Sequence, residues 1–317
     1  ERCEQECPCD NHTPVKDLCR YTCNNCKEPL VPTNGGLCAR LTPIERLKKI
    51  NDVLLGVSGY HLLADNARNS AFQWLLEGDC GNICPDDPFL VQRYVLAVLY
   101  FSTSGENWKT SDFLSCSHEC GWFPGRIQCN NRKEVTKILL DGNNLVGEIP
   151  FELQELQSLE ELNLRGNMLR GSIPGTIGNL PLLQVLDFSK NDLEGSIPAS
   201  LFSLKNLSAL QLHNNRLDGK IPSQMGDLRS LSNVQLYKNE LVGKIPNLMN
   251  LHNLVIFSVH GNSVKGNINL SVCPLRTNWK LAMLTAPCTV TCSCCNNVHM
   301  CKKKRRSAGR KTNGALN

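Results

Sequence analysis

The chain has 317 residues, of which 41% are hydrophobic and 20% are charged. This composition excludes a disordered tail and a miniprotein, because there is enough apolar material for a buried core in one or two domains. The formal net charge is +5 and seven positive charges fall within residues 302–311, so subtracting these seven leaves −2 for the rest of the chain. A weakly acidic body disfavours a nucleic-acid-binding surface, which needs clustered Lys and Arg.

Eighteen cysteines form two terminal groups, twelve from Cys3 to Cys129 and six from Cys273 to Cys301. An even count concentrated at the ends predicts disulfides made in the secretory pathway. Because the chain starts at Glu1 without Met or an apolar leader, we expect a mature secreted or cell-surface protein. No apolar run reaches the ~18 residues that span a bilayer. The disulfide candidates are Cys120, Cys129, Cys273, Cys288, Cys292, Cys294, Cys295 and Cys301.

Residues 1–38 form a small cysteine-rich segment in this interpretation. Cys19-x-x-x-Cys23-x-x-Cys26 resembles the end of the ShK-type toxin-like module, but the earlier cysteines are packed more closely than that module's pattern. We therefore predict a disulfide-stapled appendage and infer no channel-blocking role. Acceptor sequons, which fit the same compartment, begin at Asn11, Asn206 and Asn269.

The sequence of residues 39–131 predicts a helical cap that carries disulfides. Thr42-Pro43-x-Glu45 opens a helix, with Thr42 as the N-cap residue and Pro43 at the first helical position. Two further helices are expected over residues 67–76 and 88–102.

Residues 132–270 repeat the pattern L-x-L-x-x-N-x-L-x-G-x-I-P, first met from Ile138 to Pro150. The step is 24 residues four times and 23 once, because one residue is missing after Pro246. A fixed period of this length indicates stacked coils. The repeat asparagines are Asn143, Asn167, Asn191, Asn215, Asn239 and Asn262.

Each position of the repeat has a physical role. Leu162-Asn163-Leu164 alternates with period two, which predicts a short strand with its leucines pointing inward. One coil cannot bury that face alone, so successive coils stack and their strands pair into a parallel sheet. The asparagine is expected inside, bonding backbone groups that its coil leaves unpaired. The glycine allows a tight turn, and Ile-Pro re-enters the core.

The G-x-I-P element and the 24-residue step resemble the plant-type leucine-rich repeats of receptor ectodomains and secreted inhibitors. The resemblance implies an α/β solenoid, a right-handed superhelix with a parallel concave β-sheet and a second short strand around each L-x-G segment. The sixth repeat departs from the pattern, with Val264 for Leu and Asn269 in place of Pro after Ile268. We therefore expect the regular stack to end there.

Both flanks resemble caps, which cover the apolar ends of a solenoid. The run Phe89–Phe101, then Gly105-x-Asn107-Trp108 and Cys120-Gly121-Trp122-Phe123, resembles the N-terminal cap of this family. Within it, R-Y-V-L-A-x-x-Y-F-S-T-x-G more narrowly resembles the cap of secreted repeat proteins of diatoms and related stramenopiles. Residues 271–301, with Cys273-Pro274-Leu275-Arg276 and Cys292-Ser293-Cys294-Cys295, are similar to their closing cap.

Side chains between the strand leucines are expected on the concave face. One column runs Asp141, Arg165, Ser189, His213, Tyr237, His260, and its neighbour runs Gly142, Gly166, Lys190, Asn214, Lys238, Gly261. Aromatic and cationic side chains suit contact surfaces, whereas a solvated face without a partner is the alternative. The lysines and histidines of these columns favour an acidic or polar ligand, which protonated histidines would hold more strongly at mildly acid pH. The predicted binding residues are Arg165, Lys190, His213, Tyr237, Lys238 and His260.

Two catalytic or metal alternatives are disfavoured, and no cofactor is expected. Ser189, His213 and Asp187 lie on adjacent coils, but there is no nucleophile elbow and an open sheet excludes no water. A metal site formed by Cys292, Cys294, Cys295, His299 and Cys301 competes with disulfides, which the oxidising compartment and the even count favour.

Residues 302–317 form a basic tail without apolar periodicity, for which we predict disorder. It could contact acidic polysaccharide, silica or an anionic membrane surface, or mark a processing site. Three functions stay open for the chain: an extracellular module that recognises a protein or acidic polysaccharide, a receptor ectodomain whose membrane and kinase parts lie elsewhere, and a structural cell-wall component. An enzyme is not expected, and the repeats do not encode the ligand.

Overall fold

A computed structural model describes residues 41–59, 61, 66–79, 83–110, 113–115 and 117–296. The cysteine-rich segment 1–38, the sequon at Asn11, His299, Cys301 and the basic tail lie outside these residues. The chain divides into two compact units, Glu1–Thr136 and Lys137–Asn317.

The described part of the first unit contains three α-helices, in agreement with the expected helical cap. They are α1 (Pro43–Ser58), α2 (Asn66–Gln73) and α3 (Leu90–Ser102). Thr42 caps α1 as predicted, and Glu45 completes a capping box by accepting a hydrogen bond from the Thr42 backbone N–H at 2.8 Å. Helix α2 ends three residues earlier than expected, because the chain continues as a π-helical turn, Trp74–Gly78.

A buried arginine organises the core of the first unit. Arg93 donates two hydrogen bonds to Asp79, at 2.9 and 2.7 Å. Its guanidinium lies 5.4 Å from the ring centre of Trp74 and 4.9 Å from that of Trp122. Burial raises the pKa of Glu119, although nearby Arg93 opposes this shift. The disulfide Cys120–Cys129 links the 3₁₀ turn at Glu119–Gly121 to strand β1 (Ile127–Cys129).

The second unit is a stack of coils, each of which contributes one strand to a parallel sheet. Strand β2 (Val135–Leu139) crosses the unit boundary, and its residues from Lys137 onward pair with the next strand. The following strands of this sheet are, in spatial order, β4 (Glu161–Asn163), β6 (Val185–Asp187), β8 (Ala209–Gln211), β10 (Asn233–Gln235), β11 (Ile256–Ser258) and β13 (Met283–Thr285). Successive strands pair in register from coil to coil, as in Leu162 with Leu186 and Leu186 with Leu210.

The core of this unit lies between the sheet and the opposite side of each coil. Leu162 and Leu164 are fully buried, as expected from their alternation with polar residues. Phe188 takes the position of Leu164 in its own coil, Phe257 takes that of Leu162, and both are also fully buried. This arrangement confirms the predicted solenoid of stacked coils.

Second short strands follow five of the six repeat asparagines, as the resemblance implies, and a sixth such strand lies beyond the repeats. After Asn239 the described residues form only an isolated bridge, between Lys220 and Val242. The short strands are β3 (Val146–Glu148), β5 (Met168–Arg170), β7 (Glu194–Ser196), β9 (Arg216–Asp218), β12 (Gly266–Asn267) and β14 (Val290–Thr291). They pair as β3–β5, β7–β9 and β12–β14. The outer side of the first four repeats carries 3₁₀ turns at Phe151–Glu155, Gly175–Asn179, Ala199–Ser203 and Ser223–Asp227.

The repeat pattern ends at the sixth repeat, but the stack of coils continues for one coil more. Strand β13 pairs in parallel with β11, and β14 pairs with β12, so the C-terminal cap adds a further coil. The physical reason is that Leu284-Thr285-Ala286 keeps the inward alternation, with Leu284 and Ala286 buried. Helix α4 (Cys273–Asn278) lies between β12 and β13, at the place in the chain order where the first four repeats carry a 3₁₀ turn.

Candidate functional site

The candidate site is the side of the parallel sheet that faces away from the core, which we call the sheet face. The residue two positions before each repeat asparagine lies on it, directly after the buried leucine or its equivalent. Exposure differs among the predicted binding residues: Arg165, Lys190 and Lys238 are exposed, whereas Tyr237 and His260 are half-buried. His213 is buried, with 3% of its surface accessible.

Three of these side chains stack into a continuous ring ladder. The ring centres of His213 and Tyr237 are 4.3 Å apart, with an angle of 7° between the ring planes. Tyr237 and His260 repeat this geometry at 4.7 Å and 6°. Because the parallel strands hold equivalent residues side by side, the rings of three successive coils lie face to face. Stacked aromatic pairs contribute about 0.5–1.5 kcal/mol each beyond their buried area, so the ladder is held in place before any partner arrives.

Hydrogen bonds fix the two histidines at the ends of the ladder. Nδ1 of His213 lies 2.7 Å from Nδ2 of Asn214. An amide nitrogen only donates, so this ring nitrogen accepts and the proton of neutral His213 resides on Nε2. Nδ1 of His260 lies 2.8 Å from the hydroxyl oxygen of Thr285, which belongs to the added coil.

The pKa values of both histidines lie below the usual range. Burial is the main cause for His213, and Arg165, Lys190 and Lys238 add to it, while Asp187 opposes it. For His260, burial again dominates and Lys238 adds to the effect. Both rings are therefore neutral at neutral pH, and they become protonated only at a pH below that at which an ordinary histidine does so.

Three cations lie on the same face as the ladder. Arg165, Lys190 and Lys238 form no ion pair within 4.0 Å with any carboxylate of the described residues. Lys190 and Lys238 adopt left-handed backbone angles, with φ of 57° and 55°. The second predicted column is therefore a turn position, and this explains why it otherwise contains glycine and asparagine. Its lysine side chains are nevertheless exposed and add positive charge beside the rings.

Asp187 and Ser189 lie next to the ladder without forming a proton relay. The Ser189 hydroxyl donates to a carboxylate oxygen of Asp187 at 2.6 Å, and the Ser189 backbone N–H donates to the same atom at 2.9 Å. A serine nucleophile instead needs its proton directed to the base. The three residues considered as a triad are thus close in space but arranged as a structural turn.

The repeat asparagines hold neighbouring coils together. Oδ1 of Asn167 accepts from the backbone N–H groups of Asn143 at 2.9 Å and Leu145 at 3.1 Å. Its Nδ2 donates to the carbonyls of Leu140 at 2.8 Å and Leu164 at 2.9 Å. The same pattern of one bond to the previous coil and one within the coil recurs at Asn191, Asn215, Asn239 and Asn262.

The cysteines of the C-terminal cap are joined as disulfides. Cys273 bonds to Cys294 and Cys292 bonds to Cys295, and Cys288 is also disulfide-bonded. The sulfur atoms of Cys273, Cys292 and Cys294 lie within 4.8 Å of one another, but in disulfides they are not thiolate ligands for a metal.

The two described sequons differ in their surroundings. Asn206 is exposed, and its side-chain nitrogen donates to the carbonyl of Pro181 at 2.8 Å. Asn269 is half-buried, and its side-chain oxygen accepts from the backbone N–H of Ser293 at 2.8 Å.

Sequence reasoning places the ladder residues in one column but does not predict that their rings stack. The signal available is aromatic side chains at the repeat spacing, at His213, Tyr237 and His260. Sequence reasoning also misses a second stack, formed by His252 and Trp279, whose ring centres lie 3.9 Å apart with an angle of 9° between the ring planes.

Comparisons with known proteins identify the repeats. A family model described as "Leucine rich repeat" matches residues 133–193, and a second model, "Leucine Rich Repeat", matches residues 206–228. A search of curated proteins found no match. None of the described helices is both long enough and apolar enough to cross a bilayer.

Among solved structures, the chain is similar to one from the PEPR1–AtPEP1 complex at 36% identity, with a TM-score of 0.47, covering 48% of this chain and 21% of that one. It therefore spans less than two thirds of that protein's length. A chain of the BIR3–SERK2 complex from Arabidopsis thaliana is similar at 36% identity, with a TM-score of 0.43 and coverages of 50% and 84%. The ectodomain of the receptor kinase SOBIR1 from Arabidopsis thaliana is similar at 28% identity, with a TM-score of 0.46, and the match covers 54% of this chain and 92% of that one.

Proposed function

Because the chain is a leucine-rich-repeat protein, we propose that it is an extracellular recognition module whose sheet face binds a protein or peptide partner. The observation that carries this proposal is the ring ladder of His213, Tyr237 and His260. The half-buried rings of Tyr237 and His260, supported by the stacked and buried ring of His213, offer a rigid contact surface. Such a surface loses little conformational entropy when a partner binds.

The chemistry of the face favours a partner rich in acceptors or negative charge. Tyr237 presents a hydroxyl, while Arg165, Lys190 and Lys238 supply positive charge that no described carboxylate neutralises within 4.0 Å. Asp187 beside the ladder is buried, and its carboxylate oxygen is already bonded by Ser189. An extended acidic peptide laid across the strands would meet these donors in succession.

Selection from a displayed random-peptide library tests this proposal, because it requires no ligand to be chosen in advance. We expect the disulfide-intact chain to select peptides enriched in Asp and Glu, and Tyr237→Ala to weaken their binding at least tenfold, as expected for loss of a central aromatic contact. Lys238→Glu should weaken acidic peptides more than neutral ones.

A matched control is Met168→Ala, which removes an exposed side chain from β5, a strand that is not part of the large parallel sheet. It should leave binding unchanged. If the selected peptides bind Tyr237→Ala as well as the unaltered chain, the sheet face is not the binding surface. If the library yields no binding peptide and the chain binds an acidic polysaccharide such as polygalacturonate in a separate assay, the protein or peptide assignment is contradicted.

The narrower sequence resemblances stay predictions. The likeness of the N-terminal cap to diatom and stramenopile proteins, and the roles of receptor ectodomain or wall component, have no support in the geometry of the sheet face. Disulfides in both units favour an oxidising, extracellular compartment.

A further inference from the structure

Two disulfides of the C-terminal cap lie in contact with each other. Cys273 is bonded to Cys294, and Cys292 is bonded to Cys295. The sulfur atoms of Cys292 and Cys294, which belong to different disulfides, are 3.8 Å apart, and this distance is a van der Waals contact. Cys273, Cys292 and Cys294 have their three sulfur atoms within 4.8 Å of one another, and we call these three residues the sulfur cluster. Cys295 lies outside this set.

The four cysteines differ in how easily a reagent in solvent reaches them. Cys273 and Cys295 are buried, each with 9% of its surface accessible. Cys292 is half-buried and stands between two exposed neighbours in the sequence, whereas Cys294 is half-buried and is followed by buried Cys295. A thiolate from solvent therefore reaches Cys292 with the least obstruction, and attack there opens the Cys292–Cys295 bond.

Hydrogen bonds fix the backbone around the sulfur cluster. The backbone N–H of Ser293 donates to the side-chain oxygen of Asn269 at 2.8 Å, and the Ser293 hydroxyl donates to the same oxygen at 3.2 Å. The backbone N–H of Asn296 donates to the carbonyl of Leu284 at 2.8 Å, and the Leu284 N–H donates to the side-chain oxygen of Asn296 at 2.8 Å. Opening one disulfide therefore leaves the sulfur cluster assembled.

We propose that the sulfur cluster is a thiol–disulfide exchange site whose substrate is a dithiol, and that reduction at Cys292 is passed on to Cys273. The thiolate form of a cysteine is the nucleophile in such exchange, and the rate depends on its access to the disulfide that it attacks. A nucleophile that is already held against its target reacts as if it were present at very high concentration. Freed Cys292 meets this condition, because its sulfur contacts that of Cys294.

The first step consumes one dithiol and reduces one disulfide. One thiolate of the dithiol attacks the sulfur of Cys292, the Cys292–Cys295 bond breaks, and its electron pair leaves on Cys295, which takes up a proton. The second thiolate of the dithiol then attacks the reagent's own sulfur in this mixed disulfide. The reagent closes into a cyclic disulfide and Cys292 leaves as a thiolate, so two electrons have passed from the dithiol to the chain.

The second step moves a disulfide without any further reductant. The Cys292 thiolate attacks the sulfur of Cys294, so that the Cys292–Cys294 bond forms and the Cys273–Cys294 bond breaks. The electron pair leaves on Cys273, which takes up a proton, and thiols remain at Cys273 and Cys295. A link between positions 21 apart in the sequence is thereby replaced by a local one. Helix α4, which begins at Cys273, loses its covalent tie to the segment that is hydrogen-bonded to β13.

Exchange accounts for the sulfur cluster better than metal binding does. A metal ion needs free thiolates, whereas every sulfur of the cluster is part of a disulfide. Two disulfides that only staple the cap have no need to touch, whereas exchange requires the contact between Cys292 and Cys294. The site uses none of the ladder residues, so it goes beyond the recognition function proposed above.

A pair of matched variants tests the second step without any reductant. Cys295→Ser leaves Cys292 as a free thiol inside the cluster, whereas Cys292→Ser leaves Cys295 free outside it, and both variants lose the same disulfide. The folded chains are treated with N-ethylmaleimide and digested with trypsin, which cuts after Lys265 and Arg276 and so separates Cys273 from the other cysteines. We expect maleimide on Cys273 at least about tenfold more often in Cys295→Ser than in Cys292→Ser.

A second measurement uses the unaltered chain, so the test does not depend on the variants folding. The chain is titrated with dithiothreitol, trapped with N-ethylmaleimide and mapped by tandem mass spectrometry. At the dithiol concentration that opens Cys292–Cys295, we expect a species that is linked Cys292–Cys294 and carries maleimide on Cys273 and Cys295.

The control for this titration removes the disulfide of the first unit, by Cys120→Ser together with Cys129→Ser, and should leave the exchanged species unchanged. Equal labelling of Cys273 in the two matched variants would overturn the proposal. So would maleimide on Cys273 and Cys294 while Cys292–Cys295 stays closed, or opening of Cys292–Cys295 with no exchanged species.

Discussion

Replacing Asn167 by Ala should destabilise the second unit substantially, because this side chain joins two coils. Four of its hydrogen bonds reach the backbone of Leu140, Asn143, Leu145 and Leu164 at 2.8–3.1 Å. Asn167 is 9% exposed, so the groups left behind meet little water. At about 1 kcal/mol for each lost bond, the free energy of unfolding falls by about 3–5 kcal/mol.

Urea unfolding followed by circular dichroism measures this loss. Hydrogen exchange locates it, because the amides of Asn143 and Leu145 lose their acceptor and should exchange faster than those of the later coils. Asn250→Ala, the same change at an exposed position, should cost less than about 0.5 kcal/mol. If Asn167→Ala and Asn250→Ala have equal effects, the asparagines do not hold the coils together.

Three further outcomes follow from the same structure. The pKa of His213 is lowered in the folded chain, so its contribution to stability is full above about pH 6.5 and is lost as pH falls towards the folded-state pKa. His213→Gln should reduce this dependence of the thermal midpoint on pH. A midpoint of the unaltered chain that does not change through this range would contradict the burial argument. Gly178→Ala should lower the free energy of unfolding by about 1–3 kcal/mol, since the new Cβ would overlap the backbone oxygen of Ser200. Gly175→Ala, whose new Cβ has its nearest contact at 3.4 Å, should lower it clearly less in the same thermal unfolding assay. Burial raises the pKa of Glu119, so the ionised carboxylate is unfavourable at neutral pH. The change in thermal midpoint of the first unit caused by Glu119→Gln should therefore be more favourable at pH 7 than at about pH 4. An equal loss at both pH values would show that the carboxylate is needed as an acceptor.

The sequence predicts the parts of the fold that follow a period. The spacing of leucine, asparagine and glycine predicts inward strands and stacked coils, because each position repeats the same local physics. The added coil escapes prediction because it lacks the asparagine and the G-x-I-P element. It keeps only the alternation of Leu284 and Ala286, which is too short to distinguish from other apolar segments.

The candidate site can be predicted only as a column of residues. Register places His213, Tyr237 and His260 in line, but ring stacking depends on side-chain rotamers that no periodicity encodes. The pattern presents the second column as a contact surface, whereas the positive φ of Lys190 and Lys238 shows that a turn requirement also selects residues there. The contacts of Arg93 with Trp74 and Trp122 are likewise beyond reach, because they join residues far apart in the sequence.

The most direct test of the recognition function is a hydrogen-exchange footprint of the chain with a peptide selected from the displayed library. We predict slower exchange in residues 209–215, 233–239 and 256–262, which carry the ladder and its turns, and no change in the second short strands. Protection confined to β3, β5, β7 and β9, with none at Tyr237, would contradict the assignment of the sheet face as the binding surface.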